Sequence, residues 1–145
     1  MTNATAISFG YPDTLVGETA AWLVLVRPKQ PTYGSLVLVC KEDARAFSEL
    51  SRAAFEDLRA AVTAIETMLR KLVAYEKINY LMLMMVDPDV HFHVIPRYKG
   101  VRLHDGVAFQ DAGWPGPPAL ASAIDLGAAG AAALAEALRR EWPKP

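Results

Sequence analysis

The sequence predicts an α+β domain: a buried sheet, one long helix packed on it, and a second helix near the C-terminus. Three observations carry this. Two short apolar runs, "AAWLVLV" (20–26) and "SLVLVC" (35–40), are separated by "RPKQPTYG", whose two prolines and glycine mark a loop. From 51 to 72 the apolar residues recur at intervals of three and four. Further on, "VHFHVIP" alternates with the period of a strand.

Taken in order, the two apolar runs read as buried strands paired through the intervening loop. Phe55, Leu58, Val62, Ile65, Leu69 and Leu72 then line one face of a helix, with Ser51 placed to cap its first turn. Arg52, Glu56, Arg59, Glu66 and Arg70 fall off that stripe and face water. "INYLMLMMV" (78–86) is too continuously apolar for another amphipathic helix and reads as a central strand buried on both faces. Asp87, Pro88 and Asp89 form a tight turn into the alternating strand, which makes a hairpin. Arg97 to Pro118, rich in glycine and proline, reads as an ordered loop, within which Trp114 is expected to cover the core. Leu126 to Trp142 is expected to be a closing helix with Leu134, Leu138 and Trp142 on one side, ended by Pro143.

The 145 residues form a single domain, with a core over about 18–98 and a C-terminal loop and helix over 99–145. Fifteen basic and sixteen acidic residues leave a formal net charge of −1, which gives no electrostatic footprint for nucleic acid or an acidic membrane. The single cysteine, Cys40, cannot form an internal disulfide and reads as a buried thiol. "MTNATAISFGYPDT" lacks the charged and apolar regions of a signal peptide. The longest apolar stretch, "YLMLMMV", is far short of the roughly 20 residues that span a bilayer. A cytoplasmic location is expected.

Chemistry concentrates in "VDPDVHFHVIPRY" (86–98). Alternation puts Asp89, His91 and His93 on one face, about 6.5–7 Å apart along the strand, and Val90, Phe92 and Val94 on the face against the core. Imidazole is the side chain best suited to attack or to carry protons near neutral pH. Three readings stand side by side: a catalytic pair, a metal site of Asp89, His91 and His93 completed by water, and a strand whose outward face simply carries histidine. The metal reading is the weaker, because alternate side chains on an extended strand splay and His104 lies eleven residues away in the loop.

"HFHVIPR" (91–97) resembles the end of the signature of the histidine triad (HIT) family, in which three histidines alternate with apolar residues and Pro-Arg commonly follows. His91 matches the second histidine and His93 the third, while Asp89 stands in place of the first. "GSLVLVCKEDARAFSEL" (34–50) is similar to the family's glycine-led strand and the short helical passage after it. The resemblance covers roughly residues 18–98 and implies a HIT-like antiparallel meander, usually a homodimer. It implies a nucleotide hydrolase or transferase in which His91 attacks an α-phosphorus and forms a nucleotidyl-histidine intermediate. His93 would polarise the phosphate oxygens, and Asn79 matches an asparagine that contacts substrate. The partner implied is a nucleotide-type small molecule, with no cofactor or metal needed.

The sequence departs from that pattern at several points. Met84, Met85 and Asp87 replace Gly-Gln-Ser/Thr, so Asp87 stands where a phosphate contact is usual. Ser35 follows Gly34 where a further histidine is common, and Arg27 falls near a ribose-binding acidic position. Arg27, Lys29 and Arg97 can offset the repulsion of Asp87 and Asp89 for a polyanion, and Asp89 beside His91 can fix its tautomer. The same departures support an alternative: a nucleotide-binding protein of this fold with little or no catalysis.

Overall fold

The computed structural model describes residues 3–144. The two apolar runs become β2 (Trp22–Val26) and β4 (Leu36–Cys40), paired antiparallel from Trp22 opposite Cys40 to Val26 opposite Leu36. All residues of both strands are buried, so each face of this pair must be covered. The flanking strands are β1 (Leu15–Glu18) beside β2, β6 (His91–Arg97) beside β4, and β5 (Lys77–Leu81) outside β6. The five form an antiparallel sheet in the order β1-β2-β4-β6-β5.

One face of the sheet is covered by α2 (Arg52–Val73) and α3 (Gly127–Arg139), which enclose Trp22, Val24, Val26, Leu36, Leu38 and Val94. Ser51 caps α2 as expected, its hydroxyl accepting from Ala54 N at 3.0 Å. The buried stripe of α2 is rotated toward its alanines, comprising Ala54, Ala61, Ile65, Met68, Leu69 and Val73. Phe55 is 43% exposed instead. Ala54 explains the rotation: its small side chain lets the helix backbone close on the sheet, where Trp22 Nε1 donates to Ala54 O at 2.9 Å. Helix α3 ends at Arg139, before Pro143, and Trp142 lies over Gly17 of β1.

The other face is covered by the N-terminal arm. Its short helix α1 (Ala4–Ser8) sets Ala6, with Phe9, Tyr11 and Leu15 beyond it, against Leu23, Leu25, Val37 and Val39. Alternation alone leaves the histidine face of β6 outward, and the arm is what closes it.

Three expectations need correction. The strand read over 78–86 ends at Leu81 and lies at the sheet edge, so it is not central. Met82 to Val90 form a long loop rather than a tight turn, with Met84 at positive φ and Met85 and Val86 among the most exposed apolar residues described. The segment read as a loop over 97–118 contains a hairpin, β7 (Val101–His104) and β8 (Val107–Gln110). Asp105 and Gly106 close it with φ of 48° and 76°, the left-handed pair that a two-residue hairpin turn requires. A short ladder of β3 (Lys29–Gln30) with β9 (Ile124–Asp125) ties the loop after β2 to the start of α3. Trp114 is half-buried. Among the described residues no helix is long and apolar enough to cross a membrane.

Candidate active site

Strand β6 carries His91 and His93 on the arm face, opposite Val39 and Val37 of β4 respectively. The rings lie 5.2 Å apart between centroids and meet edge to face at 81°. Their hydrogen bonds fix opposite tautomers. His91 Nδ1 lies 2.7 Å from Asp89 O, and a carbonyl can only accept, so Nδ1 carries the proton and Nε2 holds a free lone pair. His93 Nδ1 accepts from Arg27 Nε at 3.4 Å, which puts its proton on Nε2. Desolvation, helped by the charges of Arg27 and His91, pushes the His93 pKa down to about 4, against a smaller opposite pull from Asp87. His93 is therefore a neutral Nε2–H donor at pH 7.

Arg27 leaves β2 at its C-terminal end and is half-buried, and desolvation lowers its pKa. Its Nη1 donates to Lys29 O at 2.6 Å. Among the described residues no carboxylate lies within ion-pair distance of Arg27 or Lys29. Both cations line a cavity of about 180 Å³ with Ser8, Phe9 and Pro28. The loop that carries them is pinned by buried Gln30, a residue the sequence reading passed over. Its amide donates to Arg27 O and Ser35 O, and its oxygen accepts from Gly34 N and Ser35 N. Ser35 is fully buried and its hydroxyl donates to Thr32 O, so it faces this loop rather than the imidazoles.

Asn79 and Arg97 lie on the histidine face but toward the far end of β6, where they meet each other. Arg97 Nη1 donates to Asn79 Oδ1 at 2.8 Å, Nε and Nη2 pair with Asp111 at 2.7 and 3.1 Å, and Nη2 also reaches Gly116 O. Four of the five guanidinium N–H bonds are thus committed, three of them holding the segment after β8 on the sheet and the fourth tying Arg97 to Asn79 of β5. Asp111 is the partner that the sequence reading missed. Its position could be found only by knowing that β7 and β8 return the chain to Arg97.

Asp89 is buried just ahead of β6. Its carbonyl orients His91, while its carboxylate turns to the arm and accepts from Thr5 N at 3.1 Å. The tautomer of His91 is thus set by the Asp89 backbone and not by its side chain. Asp87, half-buried in the loop before it, is the carboxylate whose charge reaches His93. Phe9, also overlooked in the sequence, packs 6.2 Å from the His91 ring and 5.9 Å from the His93 ring. Among the described residues no three His, Cys, Asp or Glu side chains are grouped so as to hold a metal ion.

A search of the curated proteins returns no match. Among solved structures, the chain is similar to histidine triad proteins of Bradyrhizobium japonicum and Sinorhizobium meliloti 1021. Each has a TM-score of 0.73 and 21% identity, covering 99% of this chain and 98% or 96% of theirs. A hypothetical histidine triad nucleotide-binding protein of Sulfolobus tokodaii gives a TM-score of 0.63 at 13% identity, over 94% of this chain and 88% of that one. These likenesses show the fold, an α+β antiparallel sheet with helices packed on it. The HIT domain family matches residues 10–100, which hold β1 to β6 and both histidines, and the chain belongs to the histidine triad family.

Proposed function

We propose that the protein is a nucleotide hydrolase or nucleotidyl transferase that works through a covalent intermediate on His91. The observation that carries this reading is the pair of opposite tautomers: a free Nε2 lone pair on His91 beside an Nε2–H donor on neutral His93. The His91 Nε2 lone pair attacks the α-phosphorus, the bond to the leaving group breaks, and that group departs with the electron pair and takes a proton from water. A second water then attacks the phosphorus and gives its proton to the hydroxide left by the first, the P–N bond breaks with its electron pair returning to Nε2, and the imidazole returns to its starting tautomer. The two steps replace one difficult displacement. His93 donates to a non-bridging oxygen, and Arg27 adds positive charge from the cavity side. Asp89 positions His91 through its carbonyl. Arg97, steadied by Asn79, holds the segment after β8 at the far end of the substrate face. Asp87 opposes a polyanion, so Arg27 and Lys29 must outweigh it. The chain functions as a homodimer in this reading, which sedimentation would test.

A second reading, a nucleotide-binding protein with little or no turnover, is supported by the burial of the imidazoles: His91 is 2% exposed and His93 9%. The deciding experiment is a turnover screen of dinucleoside polyphosphates, nucleoside phosphoramidates and nucleotide sugars, with wild type and His91→Ala side by side, with and without chelator. Chelator-insensitive turnover that disappears in the variant supports the covalent mechanism. Thermal stabilisation by a nucleotide with no turnover above the variant favours the binding protein.

A further inference from the structure

The imidazoles lie beneath a short piece of chain held by a small set of polar contacts. Asn3 caps α1, accepting from Ala6 N at 2.9 Å, and its amide donates to Cys40 O at 3.0 Å. Thr5 and Asp89 form a reciprocal pair. Thr5 N donates to Asp89 Oδ2 at 3.1 Å, and Asp89 N donates to Thr5 Oγ1 at 3.0 Å. Beyond this pair the chain turns so that Phe9 rests on both rings. A nucleophile and its target must come within roughly 3–3.5 Å in a defined line. With His91 2% exposed, no phosphorus atom can reach it until something moves. Sheet strands β4 and β6 are locked by paired backbone hydrogen bonds, whereas the arm has no ladder to hold it there.

We infer that Asp89 is a positioning residue that clasps the N-terminal arm over His91 and His93, and that release of the Thr5–Asp89 clasp admits ligand to the imidazoles. The residue that holds the arm is also the one whose carbonyl orients His91, so occupancy at His91 and the state of the clasp are mechanically linked. An entering phosphate meets the Asp89 carboxylate two residues from His91, and their repulsion bears directly on the group that holds the arm shut. The link to turnover rests on the nucleotidyl-transfer reading; the control of access does not.

The test uses the full chain and needs no turnover, so it separates this inference from the activity itself. Carbethoxylation by diethyl pyrocarbonate, followed by mass spectrometry, reads access to each imidazole. Amide hydrogen exchange reads opening of residues 3–9. Half-buried His104, on β7, is the internal reference. In Asp89→Ala, which leaves the orienting carbonyl in place, labelling of His91 rises about tenfold, the order expected for loss of the one buried hydrogen bond from Thr5 N to the carboxylate. Exchange over 3–9 rises with it, while His104 and the amides of β2 and β4 stay unchanged. Asp89→Asn, whose amide oxygen still accepts from Thr5 N, stays near wild type. Unchanged His91 labelling in Asp89→Ala would overturn the inference. An equal rise at His104 and in the β2–β4 amides would do the same, because Asp89 would then be holding the fold and not the arm. Should Asp89→Ala fail to fold, Thr5→Ala removes only the buried hydroxyl that accepts from Asp89 N and leaves the Asp89 carboxylate in place. It should raise His91 labelling severalfold, and no rise there refutes the clasp.

Discussion

Asp111→Ala is the most discriminating test of how the site face is built. The Arg97 side chain is 5% exposed and that of Asp111 1%, with the two joined at 2.7 and 3.1 Å. Removing the carboxylate strands a buried guanidinium and also frees Tyr98 N and Gly113 N, which donate to the same oxygens. Breaking one side of such a pair costs about 3–5 kcal/mol, because the remaining charge keeps its desolvation penalty without its partner. Against a total stability of about 5–15 kcal/mol the loss is large. With a urea slope near 1.5 kcal/mol per M, the midpoint should fall by about 2–3 M. Urea unfolding followed by tryptophan fluorescence measures it directly. The double variant Arg97→Met with Asp111→Leu provides the control, since an apolar pair of similar volume is often neutral where the ion pair stood. It should recover most of the loss. A midpoint change in Asp111→Ala worth under about 1 kcal/mol, or a double variant no better than the single, would refute the assignment of Arg97 to this network. Arg97 would then be free to serve substrate.

Two further outcomes follow from the same structure. The His93 pKa lies below its ordinary value, so as pH falls the unfolded chain takes up that proton first. Stability present above about pH 6.5 is then lost progressively toward pH 4, by up to about 3 kcal/mol. His93→Gln should flatten that part of the stability profile, and an equal slope in both proteins would contradict it. Gly17→Ala would drive a Cβ into the Trp142 ring at Cδ2. Trp142 must swing away, at a cost of about 1–3 kcal/mol, and its fluorescence should shift to the red. An unshifted spectrum with unchanged stability would show that Trp142 does not rest on β1.

The parts of this fold that were readable in the sequence are those set by local period. β2 and β4 announced themselves as apolar runs between turn residues, and α2 by spacing and its Ser51 cap. The two histidines were assigned to one face by simple alternation. What failed had no period to read. Met82 to Val86 continue the apolar run of β5 without a break, and nothing in composition separates an edge strand from the exposed loop that follows it. The orientation of α2 depended on Trp22 reaching Ala54, a contact set by the sheet. The roles of Thr5 and Phe9 depend on pairings made 84 residues away in the case of Thr5 and Asp89. The β7–β8 hairpin is different, since its Asp-Gly turn was a local signal that was present and overlooked.

The separation of 84 residues between Thr5 and Asp89 also fixes an order of events during synthesis. At about 5–20 residues per second, the arm leaves the ribosome some 4–17 s before the residue that clasps it. The β2–β4 hairpin can pair in that interval, yet its Leu23, Leu25, Val37 and Val39 side lacks β6 as a neighbour. The arm is therefore the earliest apolar cover available to the nascent sheet, waiting beside it before any histidine exists to be covered. The segment that closes the finished site is thus made first and fastened last, when Asp89 arrives.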